Sequence, residues 1–252
     1  MMAESTVVKG LTDIYSRIDA ACLKTGLTFK PRLVAVSKTK PKELVIEAYE
    51  HGQRNFGENY IQELFDKSNE SQILERCKDI RWHFIGNLQK NKVNKLIGVP
   101  GLYAVETVDS EKLATVLDKA WSKSDKKELL NVMVQVNTSG EESKNGCTPV
   151  ESVDLVKHVL EKCPSLKFIG LMTIGQYIEE SLKGPNKDFL CLKKCREEVA
   201  EKLNLSVENI ELSMGMSHDF EHAIELGSTS VRVGTAIFGT RNVNQKEENA
   251  DK

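Results

Sequence analysis

Lys38 closes the apolar run Leu33-Val34-Ala35-Val36 in "RLVAVSKTKP", residues 32–41. A β-branched-rich run of this kind makes a buried strand, and a lysine at its end has two readings. Its stem can snorkel along apolar surface and carry the ammonium to solvent. Alternatively, its amine can attack a carbonyl, when desolvation or neighbouring positive charge lowers its pKa and frees the neutral form. Near the other end of the chain, "SVRVGTAIFG" (230–239) sets Arg232 between Val231 and Val233. A guanidinium inside an apolar strand must find acceptors or a ligand nitrogen, or pair with a carboxylate such as Glu58 for structural reasons. Gly234 and Thr235 follow it; the glycine admits a ligand close to the backbone, and the threonine offers an N–H and a hydroxyl at a helix start, as an anion site requires. In "SMGMSHDFEHA" (213–223), Gly215 frees a turn, and Ser217 is either the N-cap of the amphipathic stretch through Leu226 or a second anion ligand.

These residues need a frame that brings the chain's two ends together. After an amphipathic opening helix carrying Leu11, Ile14, Tyr15, Ile18 and Cys22 at helical spacing, short apolar runs alternate with longer helical patterns. The candidate strands are residues 33–37, 55–57, 82–86, 102–106, 132–137, 168–173, 210–214 and 230–234. Helix ends are marked by Pro41 and Gly52, by Asp109 or Ser110, and by Thr148-Pro149. The pattern predicts an α/β fold, a single (β/α)8 TIM barrel with an added N-terminal helix. An open doubly wound sheet is the alternative, but "SKTKP" lacks the Gly-rich turn that usually follows its first strand. In a barrel, the C-terminal strand ends form one mouth. Lys38, Glu58 and Asn59, His83 and Asn87, Asn137, Met172 and Thr173, residues 213–217 and residues 232–235 all stand at such ends. Their convergence favours the nucleophilic reading of Lys38, and phosphate sites of barrels are commonly built from the loops after strands 7 and 8.

Composition excludes other classes. Across 252 residues, 35 Lys plus Arg balance 37 Asp plus Glu, and the net charge of -2 gives no electrostatic reason to expect nucleic acid or an anionic membrane as partner. "KNKVNK" (90–95) reads as a solvated helix face at least as well as a phosphate contact. No apolar run approaches the ~20 residues that cross a bilayer. The six cysteines form no C-x-x-C pair and no signal sequence opens the chain, which reads as soluble and cytoplasmic with reduced thiols. Cys191 and Cys195 read as helical packing neighbours. His218 and His222 lack the H-E-x-x-H pattern and a third ligand, so no metal site is expected. Residues 1–242 read as one domain, and 243–252 as a flexible polar tail.

A lysine at the mouth, a phosphate cradle opposite and a buried cation between them describe a site for a phosphorylated aldehyde. Pyridoxal 5′-phosphate (PLP) is such an aldehyde; its ring nitrogen needs a protein partner, and Arg232 is the available one. "AVSKTKP", "NFGENYIQE", "WHFIGNLQKNK", "GLMTIG", "SMGMSHD" and "VRVGTAIFG" together resemble the pyridoxal phosphate homeostasis protein family, over residues 7 to 242. The resemblance implies a fold-type III PLP barrel, similar to the N-terminal domain of alanine racemase, with Lys38 as the Schiff-base lysine. It further implies that Arg232 faces the pyridine nitrogen, that Ser217, Gly234 and Thr235 hold the phosphate, and that Asn59, Met172 and Met216 line the cofactor. His83 lies nearby with no assigned role.

Two functions are expected from this reading. One is a non-enzymatic PLP-binding protein of vitamin B6 homeostasis, with PLP-requiring apoenzymes as recipients. The chain ends soon after strand 8, leaving no room for the C-terminal domain that completes the site of racemases, so PLP is expected to enter and leave. The other is an enzyme, either a PLP-dependent amino-acid racemase or a Schiff-base aldolase. A racemase needs an acid/base on each face of the substrate carbon, and Lys38 can serve only one.

Overall fold

A computed structural model of the chain describes residues 5–176 and 184–240. Eight parallel strands close a barrel in sequence order, with the last paired to the first. They are β1 (Arg32–Val36), β2 (Asn55–Glu58), β3 (Arg81–Phe84), β4 (Leu102–Val108), β5 (Leu130–Gln135), β6 (Leu166–Met172), β7 (Glu211–Ser213) and β8 (Ser230–Val233). The helices are α1 (Thr6–Thr25), α2 (Lys42–Glu50), α3 (Ile61–Ser68), α4 (Ser71–Arg76), α5 (Val93–Ile97), α6 (Glu111–Trp121), α7 (Ser152–Lys162), α8 (Lys187–Leu203), α9 (Phe220–Glu225) and α10 (Thr235–Phe238). Each expected strand is present, with shifted ends. β5 and β6 begin two residues earlier than the apolar runs indicate, β4 extends to Val108, and β7 is shortened to three residues. Parallel strands buried on both faces read as unbroken apolar runs, so hydropathy locates them while only the hydrogen bonds of the neighbouring strand define their ends.

Helix boundaries follow local chemistry. Ser5 caps α1 by accepting from Val8 N at 3.3 Å, and Ser110, not Asp109, caps α6 by accepting from Leu113 N. Thr148 lies ahead of α7: its N–H donates to Glu151 Oε2 at 2.9 Å while Glu151 N donates to Thr148 Oγ1 at 3.4 Å, a reciprocal arrangement of the capping-box kind. α1 turns Val7, Leu11, Ile14 and Ile18 inward. They join Phe56, Trp82, Leu64 and Leu117 in a core lying between barrel and helices. The expected polar tail lies outside the described residues. Among the described residues, no helix is long and apolar enough to cross a membrane.

α1 reaches the site through Gly10. A Cβ there would stand 2.7 Å from Ala236 O and 2.9 Å from Ile237 Cα, so the absent side chain lets α1 lie directly on α10. Backbone cannot yield as a flexible side chain does. Gly10→Ala is expected to lower stability by about 1–3 kcal/mol through overpacking, read as a lowered urea midpoint with an unchanged slope; an unchanged midpoint would contradict this packing.

Candidate functional site

The C-terminal mouth of the barrel holds a cavity of about 240 Å³. Lys38, from the turn after β1, lines it together with Asn59, which follows β2. Met172, the last residue of β6, contributes a wall, as does Met216 from the loop after β7. Ser217, Arg232, Gly234 and Thr235 complete the set, so all eight residues singled out from the sequence border one space. Val36, Ile85, Ile174 and His218 line it as well. The isoleucines carried no chemical signal in the sequence, and His218 stood out only as half of a histidine pair.

The loops after β7 and β8 are joined at Ser217. α9 begins at Phe220, and the residue before it, Asp219, accepts from Met216 N at 2.6 Å, so of the two readings of Ser217 the N-cap is corrected. Ser217 opens a three-residue turn, 217–219, that precedes the helix. Ser217 Oγ instead accepts from Gly234 N at 3.3 Å, which ties the two loops together. Gly215 makes the fold-back possible: its φ is +95°, a value L side chains rarely adopt, and a Cβ would approach Ala223 Cβ to 2.6 Å. At Gly234 a Cβ would meet Val36 O at 3.1 Å. In α10 the first bonds run from Ile237 N and Phe238 N to Gly234 O, and N–H groups of a first helical turn have no intrahelical acceptor.

Arg232 is 4% exposed and anchors a chain of polar side chains across the barrel. Its Nη1 donates to Ser213 Oγ at 2.7 Å and its Nη2 to Thr173 O at 2.8 Å. Ser213 Oγ donates to Glu106 Oε2 at 2.6 Å, and Glu106 Oε1 lies 2.7 Å from His83 Nδ1. His83 Nε2 is 3.1 Å from Asn55 Oδ1. These residues come from β8, β7, β4, β3 and β2, so the chain crosses the interior, while Val231 and Val233 face the outer core by strand alternation. A carboxylate only accepts, so His83 Nδ1 carries the proton toward Glu106. Burial alone would raise the Glu106 pKa; the hydrogen bond and charge of His83, the Arg232 charge and the Ser213 hydroxyl outweigh it, and the carboxyl lies below its ordinary value. Burial pulls Arg232 below its ordinary value, against the pull of Glu106 and Asp219. The carboxylate serving Arg232 is therefore Glu106, reached through Ser213, and not Glu58.

Glu58 belongs to a second buried group behind Lys38. Its Oε1 accepts from Ser37 Oγ at 2.7 Å and from Lys67 Nζ at 2.6 Å. Burial pushes its carboxyl up to about 7 against the lowering influence of Lys67. Lys67 was not evident in the sequence, where it reads as one more polar residue of an amphipathic helix. Asn137 knits its own loop, donating to Glu141 O and Lys144 O at 2.9 and 3.2 Å. His222 Nε2 accepts from Asn186 N at 3.1 Å. Among the described residues, no group of three or more His, Cys, Asp or Glu is placed to hold a metal ion.

The profile of the family described as "Alanine racemase, N-terminal domain" matches residues 16–242. The pyridoxal phosphate homeostasis protein of Bos taurus is 58% identical over 251 residues, covering 98% of this chain and 92% of that protein. The chain belongs to the pyridoxal phosphate homeostasis protein family. The Homo sapiens member is 52% identical over 249 residues, covering 98% of this chain and 90% of its own. Among solved structures, PipY of Synechococcus elongatus PCC7942 with PLP bound superposes with a TM-score of 0.74 at 28% identity, over 92% of this chain and 100% of that one. Membership in this family gives the cavity its context: the motifs that carry the resemblance contribute Lys38, Ser217 and Arg232 to one wall system.

Proposed function

We propose that this chain binds PLP in the mouth cavity, holds it as a Schiff base on Lys38, and acts in cytoplasmic PLP homeostasis without catalytic turnover, with PLP-requiring apoenzymes as recipients. The observation that carries the reading is the convergence of Lys38, the Ser217–Gly234 loop pair and Arg232 on one cavity. The residues fit the group. Asn59 Oδ1 is buried with no partner among the described residues, at a cavity wall where a ring hydroxyl can meet it. Gly234, where a Cβ would stand 3.1 Å from Val36 O, keeps the loop after β8 close against the end of β1 at the cavity wall. Two of the five N–H donors of Arg232 serve Ser213 and Thr173, which leaves donors for a ring nitrogen.

When bound, PLP supplies an aldehyde that condenses with a lysine amine and a ring that can accept electron density. The protein's residues determine how far that chemistry goes. Lys38 provides the amine, and Ser217, Gly234 and Thr235 bind the phosphate through hydroxyl and backbone N–H groups. Arg232 stays protonated at physiological pH, so it donates to the ring nitrogen and keeps it unprotonated, which makes the ring a poor electron sink. His218 is a second titratable group on the wall. The non-catalytic reading therefore rests on Arg232 and on the functions named for the relatives, not on a missing base.

If the paired loops hold the phosphate, pyridoxal should bind at least ~10-fold more weakly than PLP, a difference of ~1.4 kcal/mol. Equilibrium dialysis of both compounds measures this, and equal affinities would overturn the cradle.

A further inference from the structure

The buried group behind Lys38 has no part in holding PLP, yet it grips the turn that carries the lysine. Lys40 N donates to Ser37 O at 3.1 Å, closing a β-turn over Ser37, Lys38, Thr39 and Lys40. Thr39, its third residue, has a φ of +60°. The left-handed region is unfavourable for a β-branched residue, and the turn type with a positive φ at this position ordinarily takes glycine or asparagine. The other described non-glycine residue with positive φ is Asn204, at the end of α8, where asparagine is a common choice. The surrounding structure must therefore hold Thr39 in place.

α3 does so with two residues one helical turn apart. Glu63 Oε1 accepts from Thr39 N at 2.6 Å and from Lys67 Nζ at 2.9 Å. Lys67 Nζ also donates to Ser37 O at 3.0 Å and to Glu58 Oε1 at 2.6 Å. Three ammonium protons thus meet three acceptors, each on the turn or bound to it. Lys67 is 7% exposed, and Ser37 and Glu58 are fully buried. A lysine is rarely so buried without a task that offsets its desolvation.

We propose that Lys67 and Glu63 are positioning residues for Lys38: they clamp the 37–40 turn in its left-handed form and so aim the Lys38 amine at the cavity. The proposal rests on the reading of Lys38 given above. The step it governs is condensation of the amine with the PLP aldehyde, which forms a C=N bond and releases one water; borohydride then delivers hydride to that carbon and leaves a stable secondary amine.

The test uses the full chain, with two readouts for each variant. The first is the rate at which a borohydride-trapped adduct appears on Lys38, located by peptide mass mapping. The second is affinity for 4′-deoxypyridoxine 5′-phosphate, which keeps ring and phosphate but has no aldehyde. Misplacing a reacting group by a fraction of an ångström to one ångström slows reaction far more than binding, so Lys67→Met should slow trapping by about 10- to 100-fold. Analogue affinity should stay within about twofold, well under the 1.4 kcal/mol that a tenfold change represents. Because Lys67→Met leaves two carboxylates together, Lys67→Met/Glu58→Gln serves as the charge-relieved version and should show the same split. Adding Thr39→Gly to Lys67→Met should restore most of the trapping rate, since glycine adopts the left-handed turn unaided. Parallel loss of both readouts, an unchanged trapping rate, or no rescue by glycine would overturn the clamp. The unsubstituted chain separates this failure from that of the underlying reading: if it binds the analogue but traps no PLP on Lys38, the assignment of Lys38 falls, and the clamp with it.

Discussion

Lys38→Ala is expected to abolish the borohydride-reducible PLP adduct while leaving weaker, reversible PLP binding through the loops after β7 and β8. Lys38 is the one lysine on the cavity wall among the described residues. Its neighbours are committed elsewhere: Lys40 Nζ donates to Thr240 O at 2.7 Å, and Lys42 Nζ to Glu70 Oε2 at 2.6 Å. Removal of Lys38 should therefore not be compensated by either. Reduction followed by mass mapping should show no modified lysine, with PLP affinity lowered at least ~10-fold, ~1.4 kcal/mol. Cofactor trapped on Lys40 or Lys42 in the unsubstituted protein would show that the amine has been misassigned.

Glu106→Ala is expected to cost about 3–5 kcal/mol of folding stability, the range for removing one member of a buried charged set and leaving the other uncompensated. The carboxylate holds His83 on one oxygen and Ser213 on the other, and Ser213 in turn receives Arg232. A urea denaturation series measures the loss, and a change under about 1 kcal/mol, the net value of an ordinary hydrogen bond, would contradict the network. The pH dependence follows from direction. The folded-state pKa of Glu106 is lowered, so its contribution is present above the unfolded carboxyl value and is lost as pH falls through the folded one. Glu58 has the opposite sign. Its carboxyl, raised to about 7, binds a proton in the folded state that the unfolded chain has released, so stability falls as pH rises from its ordinary value of 4.5 toward about 7. Glu58→Gln should flatten that limb, whereas Glu106→Gln should flatten the acid one.

The barrel was legible because its strands are uninterrupted apolar runs ending in polar residues, and Arg232 was legible because a cation between two valines demands an explanation. Ser217 was placed on the correct loop with two readings, an N-cap or an anion ligand, and the structure removes the first. Sequence shows a serine ahead of an amphipathic stretch, but the Met216–Asp219 bond delays the helix and frees the hydroxyl for Gly234. The Glu106–Ser213 bond spans 107 positions and exists only because the barrel closes. Glu106 left one trace, as a charged residue inside the strand "LYAVETV". Lys67 left none: at its position in α3 its spacing is that of any polar face, and its burial is set by where the turn after β1 comes to rest. His218 reaches the cavity through the course of the β7 loop, which its spacing from His222 does not encode.

The function proposed for this barrel is to hold PLP without turning over amino acids. Its most direct test is prolonged incubation of PLP-loaded protein with single-enantiomer amino acids, followed by chiral chromatography, with Lys38→Ala as control. Each amino acid is expected to be recovered unchanged, with conversion never exceeding one equivalent per protein. Multiple turnovers to the opposite enantiomer that disappear in Lys38→Ala would contradict it and make the protein a racemase.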